Sequence, residues 1–140
     1  MSKIEKVGKI IDAMLEKDYF SQWMALERLI EREGYCQIGM TIRKEMLNGF
    51  GIVHGGILFS LADSAFAFAS NSSGRHAVSI DSHISIYQSS QEGDQLIATA
   101  EALHTNHKLA HYKVEITNHE SELIASFKGT VYRKRNEWEV

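Results

Sequence analysis

Apolar residues recur at two different periods along this chain, and the change of period divides it into helical and extended parts. Over residues 3–17, Ile4, Val7, Ile11 and Met14 stand at helical spacing with charged residues between them. Residues 19–31 repeat the spacing with Phe20, Trp23, Leu26 and Ile30, and Gly34 is placed to end the second segment. Two amphipathic helices are therefore expected in residues 1–33. The period then falls to two: Cys36, Ile38, Met40 and Ile42 lie on one side, Gln37, Thr41 and Arg43 on the other, as in a half-buried strand.

Four more strands are expected beyond residue 75. Val78, Ile80, Ile84 and Ile86 alternate with Ser79, Asp81, His83 and Ser85. Leu96, Ala98, Ala100 and Ala102 mark the next strand, Tyr112, Val114 and Ile116 the one after, and Ile124, Phe127, Val131 and Tyr132 the last. The connections 89–94, 105–108 and 117–121 are short and polar. They suit antiparallel neighbours, because parallel strands need crossovers of a dozen residues or more.

The stretch between the first strand and the rest follows neither pattern. From Met46 to Gly74 the only formally charged residue is Asp63. Gly55-Gly56 opens a run, Ile57, Leu58, Phe59, Leu61, Ala62, Ala65, Phe66, Ala67 and Phe68, that is apolar on nearly every side of a helix. Such a helix is buried. The expected architecture is an α+β domain over 34–135, one long central helix wrapped by an antiparallel sheet of about five strands, with the N-terminal helices of 1–33 outside. There is no proline, internal repeat or linker, so a single domain is expected.

Composition narrows the functions this domain could serve. With 140 residues, 44% of them hydrophobic, the chain can fill one core. Fifteen basic against eighteen acidic residues, net charge -3, lacks the basic excess that nucleic-acid binding needs. No apolar run reaches the roughly 18 residues of a membrane span. The first residues resemble neither a signal peptide nor a transit peptide, and a cytoplasmic location is expected. Cys36, the one cysteine, has no partner for an internal disulfide and falls on the apolar face of its strand, where a thiol is inert. His104, His107 and His111 straddle one turn without a carboxylate or cysteine to complete a ligand set, so no metal site is expected. No Gly-x-Ser-x-Gly elbow is present.

Asp63 carries the chemical interest. A carboxylate in an apolar helix is costly unless it is paired or hydrogen-bonded. Two readings stand: a structural Asp bonded to a neighbouring backbone group, or a poised base or nucleophile. Gly55 and Gly56 begin the helix, where unpaired N–H groups can accept a developing oxyanion, although such a pair can equally be a tight turn. Asp63 lies eight positions beyond Gly55. On a helix that is about 12 Å along the axis, too far for both to grip one reacting group. Two copies running antiparallel about a two-fold axis would bring Gly55 of one against Asp63 of the other, giving two equal sites per dimer.

The series Met46-Leu47-Asn48-Gly49, Val53-His54-Gly55-Gly56 and Phe59-Ser60-Leu61-Ala62-Asp63 resembles the hot-dog fold acyl-CoA thioesterases of the phenylacetic acid degradation (PaaI) type, and the resemblance runs from about residue 35 to 133. It implies hydrolysis of acyl-CoA thioesters, with no cofactor, by a homotetramer built from hot-dog dimers. It also implies Asp63 as general base or nucleophile, Gly55 as oxyanion donor, Asn48 as the residue orienting water or the substrate carbonyl, His54 shaping the start of the helix, and Ser79 assisting from the carboxylate's own subunit. Gly56 and Lys108 are expected at the substrate, with Arg133, Lys134 and Arg135 as further basic groups near the CoA phosphates or as a solvated tail. The chain departs from the family at Ser89-Ser90, where many relatives have proline, at Asn106-His107-Lys108, where a glycine is usual, and at Ala67, where Glu-type relatives have threonine. A non-catalytic acyl-CoA binding module is the alternative, and a dehydratase lacks an identifiable Asp/His pair.

Overall fold

A computed structural model describes all of residues 1–140. Helix α1 (Lys3–Lys17) begins at Ser2, whose hydroxyl accepts from Glu5 N, and buries Val7, Ile10 and Ile11. Helix α2 (Tyr19–Trp23) follows at once, and strand β1 (Glu27–Arg32) comes next. Strand β2 (Tyr35–Thr41), helix α3 (Gly55–Asn71), β3 (Arg75–Ile86), β4 (Gln95–Thr105), β5 (Leu109–Asn118) and β6 (Leu123–Glu137) complete the chain. The strands form one sheet in the order β1-β2-β4-β5-β6-β3, every pair antiparallel. It curls around α3.

The sheet has six strands, where about five were expected, because the helix expected over 19–31 is a five-residue helix followed by a strand. Phe20 and Trp23 lie on α2, Leu26 at the corner and Ile30 on β1, so their helical spacing is shared between two elements. The chain turns at Ala25, which takes a left-handed φ of 54° after the fully buried Met24. Pairing with β2 then gives β1 the backbone partners that a helix would have supplied. Gly34 ends no helix: at φ 74° it turns β1 into β2. Outside this hairpin, α1 is clamped to β1 by Arg28, which bonds Asp12, Glu31 and the Gly8 carbonyl.

Strand β3 also departs from simple alternation. A register shift between Ser79 and Asp81 puts Ser79 opposite buried Val131 and Ser82 opposite buried Gly129, so both serines lie on the helix side. Ile84 and Ile86 follow on that side, opposite Phe127 and Ala125, whereas Val78 and Ile80 are 45% and 59% exposed. At the other end of α3, buried Asn71 receives Ala77 N and Trp138 Nε1 on its Oδ1 and donates to the Ala67 carbonyl, which ties the helix to β3 and to the chain's end.

The core lies between α3 and the sheet. Phe66 and Phe68 are fully buried there, while Phe59 is half-buried against Phe127. Gly129 makes room for the Phe66 ring, since a Cβ at that position would stand 2.6 Å from it.

Candidate functional site

The loop leading to α3 is built around Asn48. Its backbone N–H donates to the Ile52 carbonyl (2.8 Å), and its side-chain Oδ1 accepts from Phe50 N (2.9 Å) and Ile52 N (3.4 Å). Gly51, at φ 75°, supplies the left-handed residue that this tight loop requires. Val53 N and His54 N bond the carbonyls of Ser90 and Met46, fixing the loop to its neighbours. With Oδ1 so occupied, the Asn48 side chain presents Nδ2, which has no acceptor within the chain, to whatever lies in front of it.

His54 caps the helix. Its Nδ1 accepts from Gly56 N at 2.9 Å, which leaves the proton of the neutral ring on Nε2. The expected role of His54 in shaping the helix start is thus visible as one hydrogen bond. The same bond engages the Gly56 N–H, so that backbone donor is not available to a substrate. A Cβ on Gly56 would stand 3.0 Å from His54 Nδ1 and crowd the cap. Gly55 differs. As the first residue of α3 it has no intrahelical acceptor for its N–H. It lines a cavity of about 330 Å³ together with Asn48, Leu58, Ile86 and Tyr87. Two donors without acceptors, Gly55 N and Asn48 Nδ2, therefore belong to residues that share one cavity beside the end of β3.

Asp63 is not part of that cavity. It lies two turns along α3, half-buried, on a stripe with Gly56, Ser60 and Ala67 that the subunit's own sheet does not cover. Burial raises its pKa above the ordinary carboxylate range, and repulsion from Asp18 adds to the rise. The carboxylate makes no hydrogen bond to a neighbouring backbone group, so the structural reading of this residue finds no bond to rest on. Ser79, on the helix side of β3, shares a hydrogen bond of 3.0 Å with Ser82. Lys108 sits in the turn between β4 and β5, where Asn106 Oδ1 accepts from its backbone N–H, and it does not line the Asn48–Gly55 cavity. Cys36 is buried, and desolvation pushes its thiol up to about 12. Phe20 and Trp23 are 51% and 41% exposed on α2, with Arg43 stacked over the Trp23 ring.

Sequence reasoning did not reach the contributions of Ile86, Tyr87 and Gln88 to the cavity, nor the position of Asp18. Only an aspartate ahead of a short helical run hinted at the latter. A hollow of about 380 Å³ on the outer face of the sheet holds Asp81, His83, His111 and Lys128, but it shares no residue with the Asn48–Gly55 cavity.

A single long helix embraced by a curled antiparallel sheet is the architecture of a hot-dog domain. The chain belongs to the thioesterase superfamily, whose family model matches residues 50–125. It is 38% identical over 121 residues to the acyl-coenzyme A thioesterase PaaI of Escherichia coli K12, covering 86% of each chain. The structure of the E. coli PaaI protein superposes with a TM-score of 0.94 at 35% identity, covering 97% of this chain and 99% of that one. A hypothetical thioesterase protein from Streptococcus pneumoniae, solved with coenzyme A, matches at a TM-score of 0.78 and 25% identity, over 81% and 88% of the two chains.

Proposed function

We infer that this protein is an acyl-CoA thioesterase that hydrolyses a small aryl- or medium-chain acyl-CoA to the free acid and CoA. The observation that carries the reading is the division of the site: Gly55 N and Asn48 Nδ2 stand unpaired at one cavity, and the carboxylate they need stands two turns away on the uncovered side of the same helix. A homodimer supplies what each chain lacks. Its interface is formed by the free edge of β3, where Val78, Ile80 and Ile86 are exposed, and by the uncovered stripe of α3.

In each of the two sites Asp63 takes a proton from water as the water oxygen attacks the thioester carbonyl carbon. The carbonyl oxygen becomes an oxyanion received by the N–H of Gly55 of the partner subunit, and Asn48 Nδ2 of that subunit orients the water or the carbonyl. The tetrahedral intermediate collapses with cleavage of the C–S bond. CoA leaves as a thiolate, which needs no strong general acid, and the proton held by Asp63 returns to solvent. A raised pKa makes Asp63 a stronger base for this role than an ordinary surface carboxylate. Ser79 assists from the side of Asp63, and Lys108 meets the CoA phosphates. Dimers pair into a homotetramer in the cytoplasm.

The test is CoA release from a panel of aryl and fatty acyl-CoAs, with Asp63→Asn as control. Turnover by the wild type and its loss in the variant are expected. Full activity in Asp63→Asn would sink the mechanism, and saturable binding without turnover by the wild type would make the protein a binding module.

A further inference from the structure

The corner between α1 and α2 is bolted to α3 beside Asp63. Asp18 caps α2: its Oδ1 accepts from Ser21 N at 3.0 Å and its Oδ2 from Ser21 Oγ at 2.6 Å. Ser21 Oγ also lies 2.8 Å from Ser64 Oγ, and Ser64 follows Asp63 on α3. A carboxylate only accepts, so the one hydroxyl proton of Ser21 goes to Asp18, and Ser64 must donate to Ser21. Both serines are buried, at 1% and 9% exposure. Asp18 thus stands two hydrogen bonds from the neighbour of Asp63, and swinging into solvent would cost it both bonds it accepts from Ser21.

Capping alone does not account for a carboxylate here. Asn and Ser cap helix starts as well as Asp does, and either would spare the molecule a second negative charge next to Asp63. We propose that Asp18 is a positioning residue of the hydrolytic site, held beside Asp63 by the buried Ser21–Ser64 bridge, so that the N-terminal helices belong to the catalytic apparatus. This rests on the thioesterase reading above. The matched family region, 50–125, contains neither Asp18 nor Ser21.

The surroundings of Asp63 leave Asp18 as the dominant charge. Strands β2, β4, β5 and β6 turn mainly apolar side chains toward α3, with Tyr112 bonded to the Ala69 carbonyl, and β3 offers only Ser79 and Ser82 near its bulge. Lys6 of α1 comes close to Gly74, beyond the far end of the helix. Asp18 is the one ionised group of the subunit whose charge raises the Asp63 pKa, second to burial.

Asp18→Asn removes the charge while retaining the bolt. Asn Oδ1 can accept from Ser21 N, and Nδ2 can donate to Ser21 Oγ, which then donates to Ser64. The experiment measures the pH dependence of kcat/KM and, without substrate, the titration of the Asp63 carboxyl by ¹³C NMR, for full-length wild type, Asp18→Asn and Asp18→Glu. In Asp18→Asn the acid limb and the NMR midpoint are both expected to move to lower pH, with the melting temperature retained, and Asp18→Glu is expected to restore the wild-type limb. Should Asp18→Asn not fold, Asp18→Ser, a shorter neutral cap, takes its place. An unmoved Asp63 midpoint in an active enzyme would overturn the coupling alone. A midpoint that moves in a protein that turns over no acyl-CoA would instead overturn the thioesterase reading.

Discussion

Two inactive variants of this protein should repair one another when they share a dimer. Gly55 and Asp63 are eight residues apart on α3, about 12 Å along its axis, whereas reacting groups must approach to about 3–3.5 Å. No rotamer closes that gap within one chain. Asp63→Asn removes the base with little change of shape and is expected to lower kcat on the order of 10²–10⁴-fold, the usual contribution of general-base catalysis. Asn48→Asp keeps an oxygen acceptor for Phe50 N and Ile52 N but replaces the Nδ2 donor with a negatively charged acceptor, which opposes an oxyanion. In a heterodimer of the two, one site inherits both lesions and the other inherits neither.

Random mixing makes half the dimers hybrid, so the mixture should recover about one quarter of wild-type activity per chain, and purified heterodimers about one half. Co-expression under two affinity tags and a thiol-trapping assay of released CoA would measure this. The protein's own thiol does not interfere, because Cys36 is buried with its pKa pushed up to about 12. If the hybrid is no more active than its two parents, the shared site is wrong and Asp63 must find its donors elsewhere.

Ile80→Lys places a charge on the free edge of β3 at a position 59% exposed in the lone chain; sedimentation should show a folded monomer that releases no CoA, and an active dimer would refute the assigned interface. Gly129→Ala drives a Cβ to within 2.6 Å of a Phe66 ring already packed on Tyr112 and Phe127. It should cost about 1–3 kcal/mol of stability in denaturant unfolding, and a compensating Phe66→Leu should recover part of the loss. Because the folded protein raises the Asp63 pKa, it favours the neutral acid, and the stability contributed by that form is lost as pH rises through the folded pKa. Asp63→Asn should therefore be more stable than wild type at neutral pH and lose that advantage in acid; the opposite trend in chemical denaturation would contradict the desolvated carboxylate.

Helix α1 and the buried α3 were legible because their information is local. Ser2 caps one and His54-Gly55-Gly56 opens the other, and an apolar pattern runs unbroken between start and stop. Residues 19–31 misled because a short helix, a corner at Ala25 and a strand happen to leave apolar residues three and four apart; β-pairing with a partner downstream decides the matter, and no local period records it. The bulge at Ser79–Asp81 is equally silent in the pattern, yet it turns Ser79 toward the helix and leaves Val78 and Ile80 exposed. In the site, Asp63 and the Gly55-Gly56 helix start stood out from the pattern, while Asn48 and His54 entered only through the family resemblance. The link from Asp18 was not legible, since the Ser21–Ser64 contact joins residues 43 positions apart.

The exposed apolar edge and the divided site share one cause. A sheet that wraps a helix must stop somewhere, and here it stops at β3, leaving an unpaired strand edge and one uncovered stripe of α3 side by side. Asp63 stands on that stripe, half in water, where its base strength is only partly developed. Pairing with a second copy would cover the stripe, desolvate the carboxylate further and set the unpaired Gly55 N–H of the partner subunit in front of it. Each of these effects strengthens the others, because an oxyanion donor acts most strongly where water is excluded. A dimer contact that merely buried Ile80 would leave the Asp63 titration where it is in the monomer. A shared, water-poor site requires the Asp63 midpoint of the Ile80→Lys monomer, followed by ¹³C NMR, to fall below that of the dimer.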